Sequence, residues 1–405
     1  MNGWPQIKLG RIVSIKHGWP FKTEFFEESG SGNPIVVSIG NFKYTGGFRF
    51  DSTKNKEYSG DYPKEYELLP NDILLIMTCQ TEDGEILGIP GMIPCDGKVY
   101  LHNQRLGKVV VKDDALVVPK FLYWFFLTNE FNQQLVSSAS GTKIVHTAPC
   151  RIESCDISLP PVLEQKAIAA VLSSLDDKID LLHRQNQTLE SIAETLFRQW
   201  FVEEPKKGWE ERPLSKIADF LNGLACQKYP PDDDLSKLPV LKIKELGSGI
   251  SDASDWATSE VNPKYIVDAG DVIFAWSASL MVKIWDGEKC VLNQHLFKVT
   301  SAEFPKWFYL MWCKRHLAEF ISISASHATT MGHIKRGDLD DALVQIPSEG
   351  EMQVMSEIME PLLDKQIAIA KQIRTLEKIR DDLLPKLMSG EMRVDIKLEP
   401  KGECA

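Results

Sequence analysis

The chain has 405 residues, 43% of them hydrophobic and 25% charged, and a formal net charge of −11. That length holds two or three domains, and the composition excludes a disordered or fibrous chain. The acidic balance argues against a protein that binds nucleic acid over its whole surface, while leaving room for a local basic face.

The N-terminal MNGWPQIKLGR lacks the apolar core of a secretory signal. The longest unbroken apolar run, FLYWFFL at 121–127, is too short to span a bilayer. The sequence therefore reads as cytoplasmic. Residues 1–158 form a first globular unit with short β-rich runs, DILLIM (72–77) and GKVVV (107–111), and an aromatic-rich helical stretch near 121–131. His146, Cys150 and Cys155 lie close together, but a fourth ligand at metal-site spacing is missing and none of the eight cysteines forms a CxxC pair, so no metal is expected. A long helix follows over 159–203, entered through SLPPVLEQKAIAAVL. The charged linker VEEPKKGWEERP (202–213) leads into a second unit, 204–346, with β-rich DVIFA (271–275) and LFKVT (296–300) and an aromatic helix near 307–320. A second long helix is expected over 347–392, with a tail at 393–405.

The two helices repeat each other. A shift of 187 residues brings Pro160 onto Pro347, Glu164 onto Glu351, Leu175 onto Leu362, Asp177-Lys178 onto Asp364-Lys365 and Leu189-Glu190 onto Leu376-Glu377, without a gap. Weaker echoes precede them in the same order. LGRIVSIKHG (9–18) matches LSKIADFLNG (214–223), LLPNDILLI (68–76) matches VDAGDVIFA (267–275), LHNQRLGKVVV (101–111) matches VLNQHLFKVTS (291–301), and PKFLYWFFL (119–127) matches FPKWFYLMW (304–312). The offset drifts from 205 to 187, so the second half has lost loop residues between shared landmarks. The fold class is α+β: two globular units on one framework, each followed by a long helix.

Steps of four and three along the first helix pick out Ile168, Leu172, Leu175, Ile179, Leu182, Asn186, Leu189, Ala193, Leu196 and Trp200. The second helix gives Met355, Met359, Leu362, Gln366, Ile369, Ile373, Leu376, Arg380, Leu383 and Leu387. Such narrow stripes are coiled-coil seams, and their polar members (Asn186, Gln366, Arg380) are of the kind that fix register. Amphipathic helices packed on separate cores are the simpler alternative. Antiparallel pairing of the two helices would instead hold the units at opposite ends of a rod. About 38 residues span roughly 57 Å, the length of about sixteen base pairs.

With LPPVLEQKAI (159–168), GTKIVHTAPCRIESCDIS (141–158), PNDILLIM (70–77), AGDVIFAW (269–276), LNQHL (292–296) and LFRQWF (196–201), the chain resembles the specificity subunits of type I restriction–modification systems along almost its entire length. The second copy departs from the motif, since Glu351 is followed by Met352 where the first has Glu164-Gln165. The resemblance implies two target recognition domains, each reading half of a bipartite, asymmetric DNA site, with the long helices paired antiparallel. It implies methyltransferase subunits, two of them, docking on the helical region and methylating adenine with S-adenosylmethionine, and restriction subunits joining to make a nuclease. This chain would then be a non-catalytic reader that binds no cofactor itself.

No catalytic constellation competes with that reading. NPKY (262–265) departs from the Asn-Pro-Pro-Tyr of adenine methyltransferases at Lys264 and follows no glycine-rich cofactor loop. Gly-Lys-Ser/Thr is absent, so there is no P-loop. Asp72 and Asp271 each precede a strand and read as turn residues. DNA contact needs Lys or Arg for phosphates and polar side chains for base edges. Candidates in the first unit are Lys43, Tyr44, Arg49, Lys54 and Lys56, with Thr78, Gln80, Lys143 and His146. In the second they are Lys242, Lys244, Ser277, Ser279, Lys283, His327, Thr329, Thr330, His333, Lys335 and Arg336. The recurrent Asn103-Gln104 and Asn293-Gln294 read as structural, being common to both halves. A coiled-coil adaptor without nucleic-acid recognition is the alternative function.

Overall fold

A computed structural model describes residues 3–50, 54–79, 84–141, 144–231, 233–251, 253–326 and 332–395. The chain divides into two compact units, Met1–Asp177 with Lys378–Ala405 and Lys178–Glu377. The long helices are Val162–Arg198, continued by a π-turn at Gln199–Glu203, and Glu349–Met388. Each helix thus contributes residues to both units.

Both units have one topology. In the first, an antiparallel sheet runs in the order Val13–His17, Leu106–Val111, Ile73–Ile76, Pro90–Met92. The second repeats it as Asp219–Asn222, Leu296–Thr300, Val272–Ala275, Met281–Ile284. Each unit also has a second sheet built around one parallel pair, Ile35–Val37 with Tyr100–His102 and Lys237–Leu241 with Cys290–Leu292. A two-stranded ribbon closes each unit at the foot of its long helix: Gln6–Lys8 with Asp156–Ser158, and Glu210–Pro213 with Leu343–Ile346. The last third of the charged linker, Glu210–Pro213, is therefore a strand.

Alternation along the central strands separates two cores, because successive side chains of a strand leave by opposite faces. Ile73 and Leu75 join the cluster of aromatic helices Pro119–Phe126 and Asn129–Ser138, whereas Leu74 and Ile76 face the second sheet. Val272 and Phe274 do the same towards helix Lys306–Ser326, and Ile273 and Ala275 face away from it. The sequence landmarks before these strands are structural. Asp72 accepts from the Leu69 amide and pairs with Lys108, and Asp271 accepts from the Asp268 amide and pairs with Lys298. Asn103 and Asn293 each accept from the amide two residues on, at 3.0 and 3.4 Å. Their carbonyls are approached so closely by Gly18 and Gly223 that a Cβ there would lie 2.2 and 2.3 Å from the oxygen. Glycine is needed at both places for that reason.

Within each unit the two long helices run antiparallel. In the first unit Arg380 reaches Asp176 at 2.8 Å and Arg393 reaches Glu164 at 2.8 Å, so one helix descends as the other rises. In the second, Ile179 and Leu182 pack with Ile369 and Ile373, flanked by Leu189 and Leu376, while Ala193 shares a core with Met355 and Met359. Ile168, Leu172, Arg380 and Leu387 are buried, and Leu175, Asn186, Leu196, Trp200, Leu362, Gln366 and Leu383 are half-buried. The Glu-Gln pair of the helix entry is tied into the fold. Glu164 accepts from Trp4 Nε1 (3.1 Å), and Gln165 is fully buried. In the second unit Glu351 accepts from Trp209 Nε1 (2.8 Å) and Lys206 (2.7 Å). Hydrogen bonds from Lys206, Ser348 and Trp209 hold the Glu351 carboxyl down at about 2.

One buried titratable group distinguishes the units. His102 Nε2 donates to the Leu106 carbonyl (2.9 Å), and Leu292 occupies the matching place in the second unit. Burial lowers the His102 pKa to about 4. Between pH 6.5 and 4 the unfolded chain takes up a proton that the folded unit refuses, so the first unit loses stability as pH falls through that window. The loss approaches about 3 kcal/mol near pH 4. His102→Leu is expected to abolish this slope, read as urea midpoints at pH 7 and pH 4.5. An unchanged pH dependence in the variant would refute the assignment.

Candidate nucleic-acid interface

Residues 42–50 form a short loop held from beneath by aromatic rings. Phe42 and Phe48 bridge to each other, their rings 4.6 Å apart, and Phe48 and Phe50 continue the stack to Tyr100. The Gly47 amide donates to the Pro90 carbonyl (2.9 Å), and Gly46 and Gly47 take the left-handed backbone that the turn requires. Lys43, Tyr44 and Arg49 stand exposed from this base, as do Lys54 and Lys56 beyond it. Tyr44 is 65% exposed, unusual for a large ring with no core role. The described residues of the second unit include no such loop. After the corresponding strand that unit turns into helix Ile243–Ser248, so the two units differ where the first carries this basic loop.

Several candidate cations are occupied within the protein. Lys242 pairs with Asp255, and Lys283 donates to the carbonyls of Leu246 (3.2 Å) and Gly247 (3.4 Å), which end that helix. Lys244, Ser279, Lys335 and Arg336 are exposed. Gln80, Lys143, His327, Thr329 and Thr330 lie outside the described residues.

The structure brings together two pairs from distant segments. Thr78 faces His146 across a short antiparallel ribbon, Thr78–Cys79 with Val145–His146, with Oγ1 to Nδ1 at 3.1 Å. Ser277 bridges to His333 in the same manner, and its hydroxyl meets His295 Nδ1 at 3.2 Å. The Thr147 amide donates to the Met77 carbonyl (3.0 Å), as the Ile334 amide does to Trp276 (3.1 Å). Trp276 extends the second pair, stacking on Phe297 and approaching His295 and His333, with its Nε1 donating to Asn222 (3.2 Å). Composition did not single out Trp276, Asn222 or His295. The signal available was the 187-residue shift, which carries His146 onto His333. The near-motif NPKY is a capped turn: Asn262 accepts from the Lys264 amide (3.2 Å), and the Lys264 ammonium lies over the Tyr265 ring. Among the described residues no group of three or more His, Cys, Asp or Glu is placed to hold a metal ion, and no helix is long and apolar enough to cross a membrane.

A duplicated α+β unit, each copy rooted on antiparallel long helices and exposing different loops, matches one family. Residues 1–191 and 206–378 both match the type I restriction modification DNA specificity domain, and the chain belongs to that family. It is 29% identical to the type I restriction enzyme MjaIX specificity subunit of Methanocaldococcus jannaschii over 319 residues, covering 72% of this chain and 73% of that one. With the EcoBI specificity subunit of Escherichia coli it shares 19% identity over 98% of this chain and 88% of the relative. The fold is that of the type I restriction–modification S subunit from M. genitalium, with TM-score 0.59 and 15% identity over 98% of this chain and 97% of that one.

Proposed function

We infer that this chain is the DNA-reading subunit of a type I restriction–modification complex. Each unit reads one half of a bipartite, asymmetric site. The observation that carries this is one framework used twice with different exposed loops: the basic loop with Lys43, Tyr44 and Arg49 in one unit, helix Ile243–Ser248 in the other. Readers of two unrelated half-sites need that combination, because framework positions the protein and loops supply the base contacts. The adaptor reading gains no support from the family match.

Methyltransferase subunits, two per chain, dock on the helices in this reading and carry the S-adenosylmethionine and the chemistry. Restriction subunits join the same complex. The chain itself supplies no catalytic group and works in the cytoplasm. Outward apolar side chains on the helices suit such docking: Leu181, Ile192, Val354 and Ile358 in one unit, Leu163 and Ile379 in the other, all exposed.

The test is co-expression with a type I methyltransferase subunit in a host lacking the modification, followed by mapping of methyladenine. A split motif with a fixed gap and unrelated halves, absent when this chain is omitted, is the expected result. Alanine at Lys43, Tyr44 and Arg49 together should degrade only one half of that motif. A palindromic target, or no methylation from a copurifying complex whose methyltransferase is active with another specificity subunit, overturns the proposal.

A further inference from the structure

The exposed loops of the two units differ, yet one surface arrangement is kept in both. His146 and His333 are related by the same 187-residue shift that relates the long helices. Each faces a hydroxyl residue that follows the second central strand, Thr78 after Ile73–Ile76 and Ser277 after Val272–Ala275. In each unit the next amide donates back to the residue before that hydroxyl. Both imidazoles are exposed. Asp177-Lys178 and Asp364-Lys365, also shared and exposed, lie on the long helices; the other shared features, the Asn103 and Asn293 turns, the Lys108–Asp72 and Lys298–Asp271 pairs, and the Glu164 and Glu351 anchors, are buried or half-buried within the fold.

A pair of exposed side chains kept at one place in two units that read different sequences, and set on the loops and not on the long helices, suits something the two half-sites share. Base edges differ between half-sites, and the sugar–phosphate backbone does not. We propose that His146 and His333 are matched contacts to DNA phosphates, one per half-site, that position each unit without reading sequence. This rests on the DNA-reading function proposed above.

The local chemistry fits a phosphate oxygen. When the Thr78 hydroxyl donates to His146 Nδ1, the ring proton sits on Nε2, on the side of the ring away from the threonine. In the second unit the Ser277 hydroxyl turns to His295, and His333 stands edge-on to Trp276, 6.4 Å between ring centres. Lys335 and Arg336 are exposed close after His333, and Arg151, which donates to Ser140 (3.1 Å), follows His146, so each site carries positive charge beside the imidazole.

The experiment uses the full chain assembled with methyltransferase subunits and two duplexes, one carrying the mapped site and one with both half-sites scrambled. His146→Ala and His333→Ala should each weaken binding to both duplexes by the same factor, about tenfold for one lost hydrogen bond to a charged oxygen. Glutamine, which keeps an N–H donor, should restore binding to within about threefold of the parent. The methyladenine motif should stay the same in every variant. Unaltered affinity in a variant with parental thermal stability overturns the proposal, and so does a loss confined to the specific duplex or a changed half-site, which would make the histidines base readers. If the parent complex itself binds neither duplex in a salt-sensitive way, the DNA-reading function fails instead, and the two failures are told apart by that control.

Discussion

Gln165→Leu is expected to destabilise the first unit by about 3–5 kcal/mol, a large part of the stability of an ordinary domain. The side chain is fully buried and makes three hydrogen bonds to backbone: its Oε1 accepts from the Val118 amide (2.8 Å), and its Nε2 donates to the carbonyls of Leu116 (3.0 Å) and Pro160 (2.8 Å). Leucine fills much the same volume, so no large cavity opens. The cost comes from three backbone groups left without partners, at about 1–3 kcal/mol for each one that water cannot reach. These bonds join the start of the first long helix to the start of the aromatic helix. Urea unfolding followed by the tryptophans of the first unit, Trp4, Trp19 and Trp124, is the measurement. A loss below about 1 kcal/mol would mean that water replaces the side chain and that the Glu-Gln motif has another purpose.

Seven residues added to each long helix, after Asp177 and after Glu377, are expected to widen the gap in the recognised site. Those are the points at which the helices pass from one compact unit to the other. One heptad keeps the seam in phase in both helices and adds about 10 Å, or about three base pairs. Methyladenine mapping in the co-expression host reads the gap directly. Both half-sites should keep their sequence, since no loop is touched. A modified site with its original gap would show that the helices do not set the spacing.

The sequence made the repeated helices legible because their periodicity is long and their alignment needs no gap. Strands such as Val272–Ala275 and Leu296–Thr300 were legible for a similar reason, being continuous apolar runs between turn residues. The parallel pairing of Ile35–Val37 with Tyr100–His102 was not, since strands of three residues carry no period. Nor was the division of both helices between two compact units, which depends on which half of each seam packs against which core. Loop composition could not separate cations that face solvent from those consumed within the fold. Lys283 and Lys56 look alike in the sequence, but Lys283 closes the end of helix Ile243–Ser248 while Lys56 is exposed. The histidine pair lay within reach of the repeat alignment, but its meaning needed the strand pairing that places Thr78 and Ser277 opposite it.

The assignment of residues 378–395 to the first unit has a consequence for biosynthesis. Residues 178–377 make the second unit without any later segment. The first unit still waits for Leu387 and Met388 to fill its core, for Arg380 to reach Asp176, and for Arg393 to reach Glu164. The second unit can therefore close without the end of the chain, whereas the N-terminal unit depends on it, against the usual N-terminal-first order of synthesis. A released chain that ends before residue 378 holds one complete reading unit and one with an open apolar face. Proteases and chaperones would meet that open face first.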